Sequence, residues 1–377
     1  MTQTPDPRLS RRGMMRLAGL GAAAAGLLGA AACSNADGGT AAAPPSGSAA
    51  LPRPDADLPP GDTSKGADNF FVSAHVTADH VTFGNQFGQR LSANLFVPKD
   101  MNRADRHPAL VVSHPMGAVK EQSANLYAQK IAEHGFVTLA VDLPYWGDSE
   151  GELRNLVAPD NYAESFSAGV DYLRTLNYVD RERIGALGIC GSGSYVISAA
   201  KIDPRIKAVA TVSMYDMGAA NRFGLRRAVT LEQRREVLAR AAAQRDVEFA
   251  GGRTEFTGGT PEHLTEQSSA VDREFFDFYR TARGHRSNTT THPTLTSNVR
   301  FLNYFPFNEI ETISPRPMMF VAGDQAHSLE FSQDAYRLAG EPKELVLVPG
   351  AGHVDLYDRV ELIPFDRLTG FYARHLS

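Results

Sequence analysis

Two residues with side chains suited to covalent chemistry and proton transfer follow apolar runs in this 377-residue chain. Cys190 lies in GICGSG, directly after the run RIGALGI, and His353 lies in PGAGHVDL, after the run ELVLV. A thiol at a helix N-terminus faces unpaired N–H groups and the helix dipole, which lower the pKa of Cys190 from about 8.5. Histidine titrates near neutrality, so His353 suits removal and return of the proton. The pair predicts nucleophilic attack on a carbonyl carbon.

The residues beside the thiol fit a sharp turn from a strand into a helix. Such a turn strains the backbone of its central residue and requires small neighbours two places away, as Gly188 and Ser192 are. The N–H of Gly191 would point at an oxyanion formed on the attacked carbonyl. A second donor is expected from HPMG, where Met116 supplies the N–H because Pro115 has none.

Two other interpretations of this turn stay open. Ser192 could be the nucleophile with Cys190 and Ser194 as its small neighbours, although the turn would then extend beyond the apolar strand. Alternatively, Cys190 could be a buried, inert small hydrophobic residue. A lone thiol in an exported protein is exposed to oxidation and calls for a functional reason, which favours Cys190 as the nucleophile.

From Phe70 onward, strand-like runs alternate with helix-like segments, which predicts a mostly parallel, doubly wound α/β sheet covered on both faces. VSAHVTADHVTF and LSANLFVP indicate an opening antiparallel pair. The rhythm breaks in a polar, helical stretch from about 217 to 313, which predicts a helical cap insertion. Its helix LEQRREVLARAAAQ is expected to be a solvated face. The aromatic residues of DREFFDFYRTA form either the insertion's own core or a lid.

From about Val72 onward, the sequence resembles the α/β-hydrolase superfamily and, within it, the dienelactone hydrolases, whose turn reads GxCxGG. Gly188, Cys190 and Gly193 match that pattern, and HPMGAVKEQ and PGAGHVDLYD extend the likeness. The resemblance implies an α/β-hydrolase domain over 70–377. It also implies a hydrolase that cleaves a carboxylic ester or related acyl bond through a Cys190 acyl-enzyme, without a cofactor.

The resemblance implies an acidic residue that orients His353, three residues beyond the glycine of RPMMFVAG, but Ala326 occupies that position. Asp324 lies in the same turn and is the predicted acid. Asp216, after KAVATVSMY, and the more remote Glu330 are the alternatives. Ala326 also favours a further possibility, a non-catalytic protein that binds ligands on the same scaffold.

Two other loops carry residues of interest. His114, in HPMG, is expected to fix its loop by hydrogen bonding. Tyr145 and Trp146 follow the strand FVTLAVDLP at the edge where α/β proteins bind ligands, so they either line the pocket or pack against the insertion. The predicted substrate is a small, ester-like molecule. An acyltransferase that uses the same acyl-enzyme is the alternative to a hydrolase.

Composition excludes several function classes. The net charge of −5 gives no electrostatic reason to bind nucleic acid. The chain has no CxxC pair, HExxH motif or GxxxxGK[ST] loop, so no metal site or nucleotide-binding loop is predicted. With only two cysteines, Cys33 and Cys190, a disulfide framework is impossible.

The first 32 residues have the architecture of a signal peptide: arginines followed by the apolar stretch LAGLGAAAAGLLGAAA. SRRGMMR resembles the twin-arginine export motif, and AAAC, ending at Cys33, resembles a bacterial lipobox. Plain signal cleavage and an uncleaved anchor are the alternatives, although the stretch is shorter than the roughly 20 apolar residues that span a bilayer. Residues 33–69, rich in Pro, Gly, Ser and Ala, are predicted to be a flexible linker. The expected location is the cell envelope or periplasm, with a lipid on Cys33 as the membrane anchor.

Overall fold

The computed structural model describes Leu51 and residues 57–377. The predicted signal peptide, the twin-arginine motif and Cys33 lie outside the described residues. In the described part, no helix has both the length and the apolar character needed to cross a bilayer.

The described chain folds around one eight-stranded sheet, flanked by helices. The strands are β1 (Val76–Gly84), β2 (Arg90–Pro98), β3 (His107–Ser113), β4 (Val137–Val141), β5 (Val179–Ile189), β6 (Ala208–Val212), β7 (Met318–Gly323) and β8 (Lys343–Val348). The helices are α1 (Ala124–Ala132), α2 (Pro159–Thr175), α3 (Gly191–Ile202), α4 (Met217–Phe223), α5 (Leu231–Phe249), α6 (Ala270–Tyr279), α7 (Leu295–Asn298), α8 (Leu329–Leu338), α9 (Asp355–Asp358) and α10 (Phe365–His375).

The strand order is β1-β2-β4-β3-β5-β6-β7-β8. β2 pairs antiparallel with β1 and β4, as predicted for β1 and β2, and the remaining pairs are parallel. This is the predicted α/β-hydrolase fold. The carboxyl ends of β3 to β8 therefore meet at one edge of the sheet, where α/β proteins place their functional loops.

The sheet has a hydrophobic core on each face because successive side chains of a strand point to opposite sides. In β3, Ala109 and Val111 belong to one core, and Leu110 and Val112 belong to the other. All four residues are fully buried. Central parallel strands covered on both faces read as continuous apolar runs, which is why ALVV lacks the alternation of a half-exposed strand.

Four helices, α4 to α7, lie between β6 and β7, where the sequence predicted an insertion from about 217 to 313. Helix α5 buries only Ala241, which accords with a solvated face. Helix α6 begins with a capping box between Ser269 and Asp272 and turns aromatic side chains inward. Phe278 is fully buried, and its ring packs 5.2 Å from the ring of Tyr357.

The folded part begins before residue 70, where the sequence analysis placed its start. Asp62 forms an ion pair with Arg359 at 2.7 Å, and Asn69 is buried and accepts the N–H of Ser123 at 2.8 Å. These contacts provide partners for the guanidinium group of Arg359 and the backbone N–H of Ser123. Residues 57–69, the end of the predicted linker 33–69, therefore pack on the domain.

A buried ion pair joins the cap to the segment that carries His353. Arg283, which follows α6, donates from Nη2 to Asp358 Oδ1 at 2.6 Å and from Nε to Oδ2 at 3.0 Å. The side chains of Arg283 and Asp358 are 3% and 0% exposed. Arg283 also donates from Nη1 to Asp277 Oδ2 at 2.8 Å, but Asp277 is 30% exposed, so Asp358 is its buried partner and in turn depends on Arg283.

Replacing Asp358 with Asn is therefore expected to lower the free energy of unfolding by about 3 to 5 kcal/mol, because it leaves Arg283 as a buried charge without its full partner. The matched control is Glu344→Gln, which breaks the exposed pair with Arg374 and should cost at most about 1 kcal/mol. Urea unfolding of both variants measures the difference. Equal midpoints would show that the buried pair does not stabilise the cap.

Candidate active site

Cys190 occupies a strained turn between β5 and α3, with φ 53° and ψ −117°. A positive φ is unusual for a residue with a side chain. Two glycines make room for the turn. A Cβ at Gly188 would lie 2.2 Å from the carbonyl oxygen of Ser192, and one at Gly193 would lie 2.5 Å from Cβ of Met214. The turn thus presents the thiol at the carboxyl edge of the sheet.

The Cys190 thiol has three hydrogen-bond partners: the hydroxyl of Tyr357 and the backbone N–H groups of Gly191 and Met116. The last two are packed closely, since a Cβ at Gly191 would lie 2.7 Å from Cβ of Met116. The structure therefore brings together the two residues predicted as oxyanion donors, with both N–H groups beside the sulfur.

Burial raises the pKa of the Cys190 thiol to about 11, although its hydrogen bonds act in the opposite direction. This is contrary to the expected lowering by the helix N-terminus. The physical reason is that an enclosed site disfavours the charged form more strongly than two N–H groups and one hydroxyl favour it. The thiol is therefore protonated at neutral pH and needs a base during any reaction.

His353 is fully buried and bonds through both ring nitrogens. Nε2 lies 3.0 Å from the hydroxyl of Tyr357, and Nδ1 lies 2.6 Å from the hydroxyl of Ser328. Burial lowers the pKa of His353 well below its usual value, and a positive charge on His327 would lower it further, so the ring is neutral at neutral pH. Tyr357 thus stands between the predicted nucleophile and the predicted base, in contact with both.

The structure does not bring the predicted acid, Asp324, to His353. Its carboxylate accepts the N–H of Gly350 at 2.8 Å and the side-chain amide of Gln325 at 3.1 Å. In the position that an acid would occupy, against Nδ1, lies the hydroxyl of Ser328.

The alternative acids are likewise engaged elsewhere. Asp216 caps α4 by accepting the N–H of Ala219 at 2.7 Å. Glu330 accepts the N–H of Arg226 at 2.7 Å. Both carboxylates therefore serve backbone groups of the cap.

The alternative nucleophile, Ser192, is fully buried, and its hydroxyl donates to the carbonyl oxygen of His114 at 2.5 Å. His114 also accepts the N–H of Leu143 at Nε2 and contacts the carbonyl oxygen of Pro115 through Nδ1. Burial lowers the pKa of His114, which keeps the ring neutral. His114 thus fixes the conformation of its loop through these hydrogen bonds, and the hydroxyl of Ser192 adds one more.

Lys120 fixes the other end of the loop that contains Met116. Its backbone N–H donates to Asp142 Oδ1 at 2.6 Å, and its ammonium group donates to Asp142 Oδ2 at 2.8 Å. The ammonium group is 1% exposed and also pairs with Glu121 and Asp148. Burial is the largest single effect and opposes the charge of Lys120, but the carboxylates of Asp142, Glu121 and Asp148 together outweigh it, so the pKa of Lys120 is raised.

A cavity of about 370 Å³ opens above the sulfur, between the sheet edge and the cap. Most of its lining is aromatic, thioether or neutral polar, contributed by Met116, Tyr215, Met217, Asn221, Thr257, Thr260, Phe275, Tyr279, Asn298, Phe301 and Tyr357. Asp272 is the one charged side chain among the described residues that line it. Phe275 and Tyr279 show that α6 forms a lid as well as part of the cap core.

The two aromatic residues that were predicted to line the pocket or pack on the insertion lie outside the cavity. Trp146 is fully buried and donates from Nε1 to the hydroxyl of Tyr162 at 2.8 Å. Tyr145 packs partly buried against the same core. No cluster of three or more His, Cys, Asp or Glu side chains suited to a metal ion occurs within the described ranges.

Four side chains of the site were not predicted from sequence: Tyr357, Ser328, His327 and Glu274. Tyr357 had a usable signal, because it lies four residues after His353 and so reaches the same face of a helical turn. The other three had none, since they reach the site through the packing of the cap and of the loop after β7.

The chain is similar to known proteins in both sequence and structure. Residues 88–303 match the family model described as X-Pro dipeptidyl-peptidase (S15 family). The protein PA2218 of Pseudomonas aeruginosa is 45% identical over 317 residues, which cover 81% of this chain and 83% of that protein. Its crystal structure superimposes with a TM-score of 0.79 at 44% identity and covers 81% of this chain and 96% of that chain.

Two further relatives extend the comparison. YcjY of Escherichia coli K12 is 37% identical over 269 residues, covering 71% of this chain and 88% of that protein. The polyketide transferase GrgF of a Penicillium species is 26% identical over 286 residues, covering 73% and 90%. The crystal structure of GrgF, described as an alpha/beta hydrolase, has a TM-score of 0.65 at 23% identity and covers 79% of this chain and 99% of that chain.

The raised pKa of Cys190 predicts how the thiol responds to pH. Alkylation by iodoacetamide should be slow at pH 7, where about one thiol in 10⁴ is ionised, and should rise tenfold per pH unit until about pH 11. Mass spectrometry of the Cys190 peptide measures the rate, and the urea-unfolded chain gives the reference profile for a free thiol. A native profile that levels off near pH 8.5, as for a free thiol, would contradict the effect of burial.

Proposed function

The chain belongs to the α/β-hydrolase superfamily and, within it, to the X-Pro dipeptidyl-peptidase (S15) family, and from this we propose that it hydrolyses a neutral carboxylic ester or related acyl compound through a Cys190 thioester. One observation carries the proposal. The thiol lies at the floor of a cavity, in contact with two backbone N–H groups and with a hydroxyl that also contacts His353.

The proton leaves the thiol by way of Tyr357. The tyrosine hydroxyl accepts the proton from sulfur as it passes its own proton to Nε2 of His353, while sulfur attacks the carbonyl carbon. The N–H groups of Gly191 and Met116 hold the negative oxygen that forms. The reverse transfer protonates the departing alkoxide, which leaves as an alcohol and yields a thioester on Cys190.

Water completes the cycle by the same route. A water molecule loses a proton through Tyr357 to His353 and attacks the thioester carbon. Collapse of the second tetrahedral intermediate releases the carboxylic acid and returns the proton to sulfur. The sum is one ester and one water converted to one acid and one alcohol.

The lining of the cavity supports a neutral, largely apolar substrate. Phe275, Tyr279 and Phe301 offer aromatic faces, and Asn221 and Asn298 offer uncharged hydrogen-bonding groups. No cationic side chain lines the cavity in the described part of the chain, so nothing there would offset the charge of an anionic substrate.

Acyl transfer is the second candidate. GrgF, which is 26% identical over 90% of its length, is named a polyketide transferase. The same thioester would then be attacked by an alcohol, amine or thiol acceptor instead of water. Product analysis with added acceptors separates the two reactions, because transfer yields a new acyl compound and hydrolysis yields the free acid.

The proposed function is tested by the turnover of a neutral short-chain 4-nitrophenyl ester. Replacing Cys190 with Ala should lower kcat/KM about 10³-fold or more, because no thioester can form. Replacing Tyr357 with Phe should lower kcat/KM about 10²-fold, because the relay to His353 is broken.

Tyr372→Phe is the matched control for the relay, since it removes another fully buried hydroxyl, which donates to the carbonyl oxygen of Ala186 at 2.7 Å. Its kcat/KM should equal that of the unaltered protein. Full turnover by Cys190→Ala would refute the thiol mechanism, and absence of turnover in the unaltered protein would favour a ligand-binding protein on this scaffold. If Tyr357→Phe and Tyr372→Phe change kcat/KM equally, the proposed proton relay through Tyr357 is wrong, while Cys190 can still be the nucleophile.

We also propose that the protein is exported and anchored by a lipid on Cys33. The support is the arginine-rich start, the apolar stretch and the AAAC sequence before the linker. A Cys33→Ala variant should move from the detergent phase to the aqueous phase in detergent partitioning. Cys190→Ala, the control at the other cysteine, should stay in the detergent phase. Partitioning of Cys33→Ala like the unaltered protein would contradict the lipid anchor.

A further inference from the structure

The group next to Nδ1 of His353 is the neutral hydroxyl of Ser328, although the proposed mechanism requires negative charge there. Ser328 bonds to Nδ1 at 2.6 Å, and a serine hydroxyl donates or accepts equally well. Ser328 therefore cannot fix which ring nitrogen carries the proton. It also supplies no charge to stabilise the imidazolium that forms when His353 takes a proton, which a carboxylate does.

A carboxylate does approach this histidine, and it comes from the cap. Glu274, in the middle of α6, accepts the backbone N–H of Val354 through Oε1 at 2.6 Å. Its other oxygen, Oε2, lies 3.1 Å from Nδ1 of His327. The ring of His327 in turn packs against the ring of His353 in a tilted arrangement, with centroids 4.6 Å apart and planes 35° apart. Glu274 thus contacts the peptide next to His353 and the ring packed against it.

The surroundings of His327 indicate that this pair carries a net negative charge. Nε2 of His327 is buried and has no hydrogen-bond partner among the described side chains and backbone groups. A protonated ring would place an N–H donor there without an acceptor, which is costly in a buried site. A neutral ring with its proton on Nδ1 donates to Glu274 and leaves only a lone pair unpaired. The carboxylate charge of Glu274 is then not cancelled.

We propose that Glu274 is a positioning residue that supplies, through His327, the negative charge that stabilises the protonated form of His353. The proposal rests on the proposed function of Cys190 and His353. It also makes the base depend on the cap, because the charge reaches His353 only when α6 is docked against residues 353–358.

The other groups around the His353 ring supply no competing charge at neutral pH. Tyr215, after β6, and Tyr357, in α9, have rings 5.1 Å and 5.3 Å from it, and both hydroxyls are neutral because burial raises their pKa. Phe275, from α6, is apolar and lies 5.6 Å away. The Cys190 thiol, reached through Tyr357, is protonated.

The test compares Glu274→Gln with Glu274→Ala by the pH profile of ester hydrolysis. The glutamine keeps an oxygen that can accept the N–H of Val354 but lacks the charge. Both variants should therefore lose about tenfold or more in kcat/KM. In both, the acidic limb of the profile should move to lower pH, because removing a negative charge lowers the pKa of the base. A merely structural role would spare the glutamine variant.

Two further variants complete the design. Glu266→Gln removes an exposed carboxylate from the same cap and should leave kcat/KM unchanged. Ser328→Asp, added to Glu274→Gln, places a carboxylate directly against Nδ1, and should restore activity and return the acidic limb toward higher pH.

The outcomes separate this inference from the proposed function. If Cys190→Ala is inactive and Glu274→Gln keeps its full activity and an unshifted profile, the role of Glu274 is overturned while the thiol mechanism stands. If Cys190→Ala keeps its activity, the thiol mechanism and the role of Glu274 are both overturned. A loss of activity in Glu274→Ala but not in Glu274→Gln would also overturn the role. It would show that Glu274 matters only through its hydrogen bond to the N–H of Val354.

Discussion

The site depends on the backbone conformation of one residue. With φ at 53°, Cys190 projects its sulfur from the strand edge instead of burying it along the sheet. That conformation is strained and persists only where the surroundings hold it. Here the surroundings are a fully buried strand end, a helix that starts at once, and Gly188, whose missing Cβ leaves room for the carbonyl oxygen of Ser192. The loop with Met116 and the segment with His353 then take their places around the fixed sulfur.

Burial gives this centre a different character from a cysteine and histidine that form an ion pair at rest. The thiol and the imidazole are both enclosed, and enclosure disfavours charge on either of them. The resting state is therefore neutral, and charge has to appear together with bond formation. Fixed N–H groups act strongly on charge that develops in a site without water. The cap that encloses the cavity thus suppresses the resting thiolate and, in the proposed mechanism, would strengthen the hydrogen bonds from Gly191 and Met116 to the oxyanion.

The features that could be predicted from the sequence are those that local sequence patterns determine. The alternation of apolar runs and helical segments predicted the α/β-hydrolase fold, which the structure confirms, because burial on both faces leaves its mark within each strand. Cys190, Gly191, Met116 and His353 could be predicted to lie together because each follows a strand, and parallel strands bring their carboxyl ends to one edge.

What the sequence did not predict depends on contacts between distant segments. Glu274 and Val354 are 80 residues apart and meet only because α6 packs on the segment after β8. The pKa of Cys190 is raised instead of lowered for a similar reason. The helix N-terminus can be read from the local sequence, but the enclosure of the thiol by the cap cannot. Asp324 followed the right strand, but its carboxylate turned to the N–H of Gly350.

The buried pair of Arg283 and Asp358 bears on how this family can diversify. Here the residue after Tyr357 is half of an ion pair whose other half belongs to the cap. A cap without a cation at the position of Arg283 would leave the carboxylate of Asp358 buried without its partner. An exchange of the insertion in this protein is therefore expected to require a matching change in the loop after the last strand.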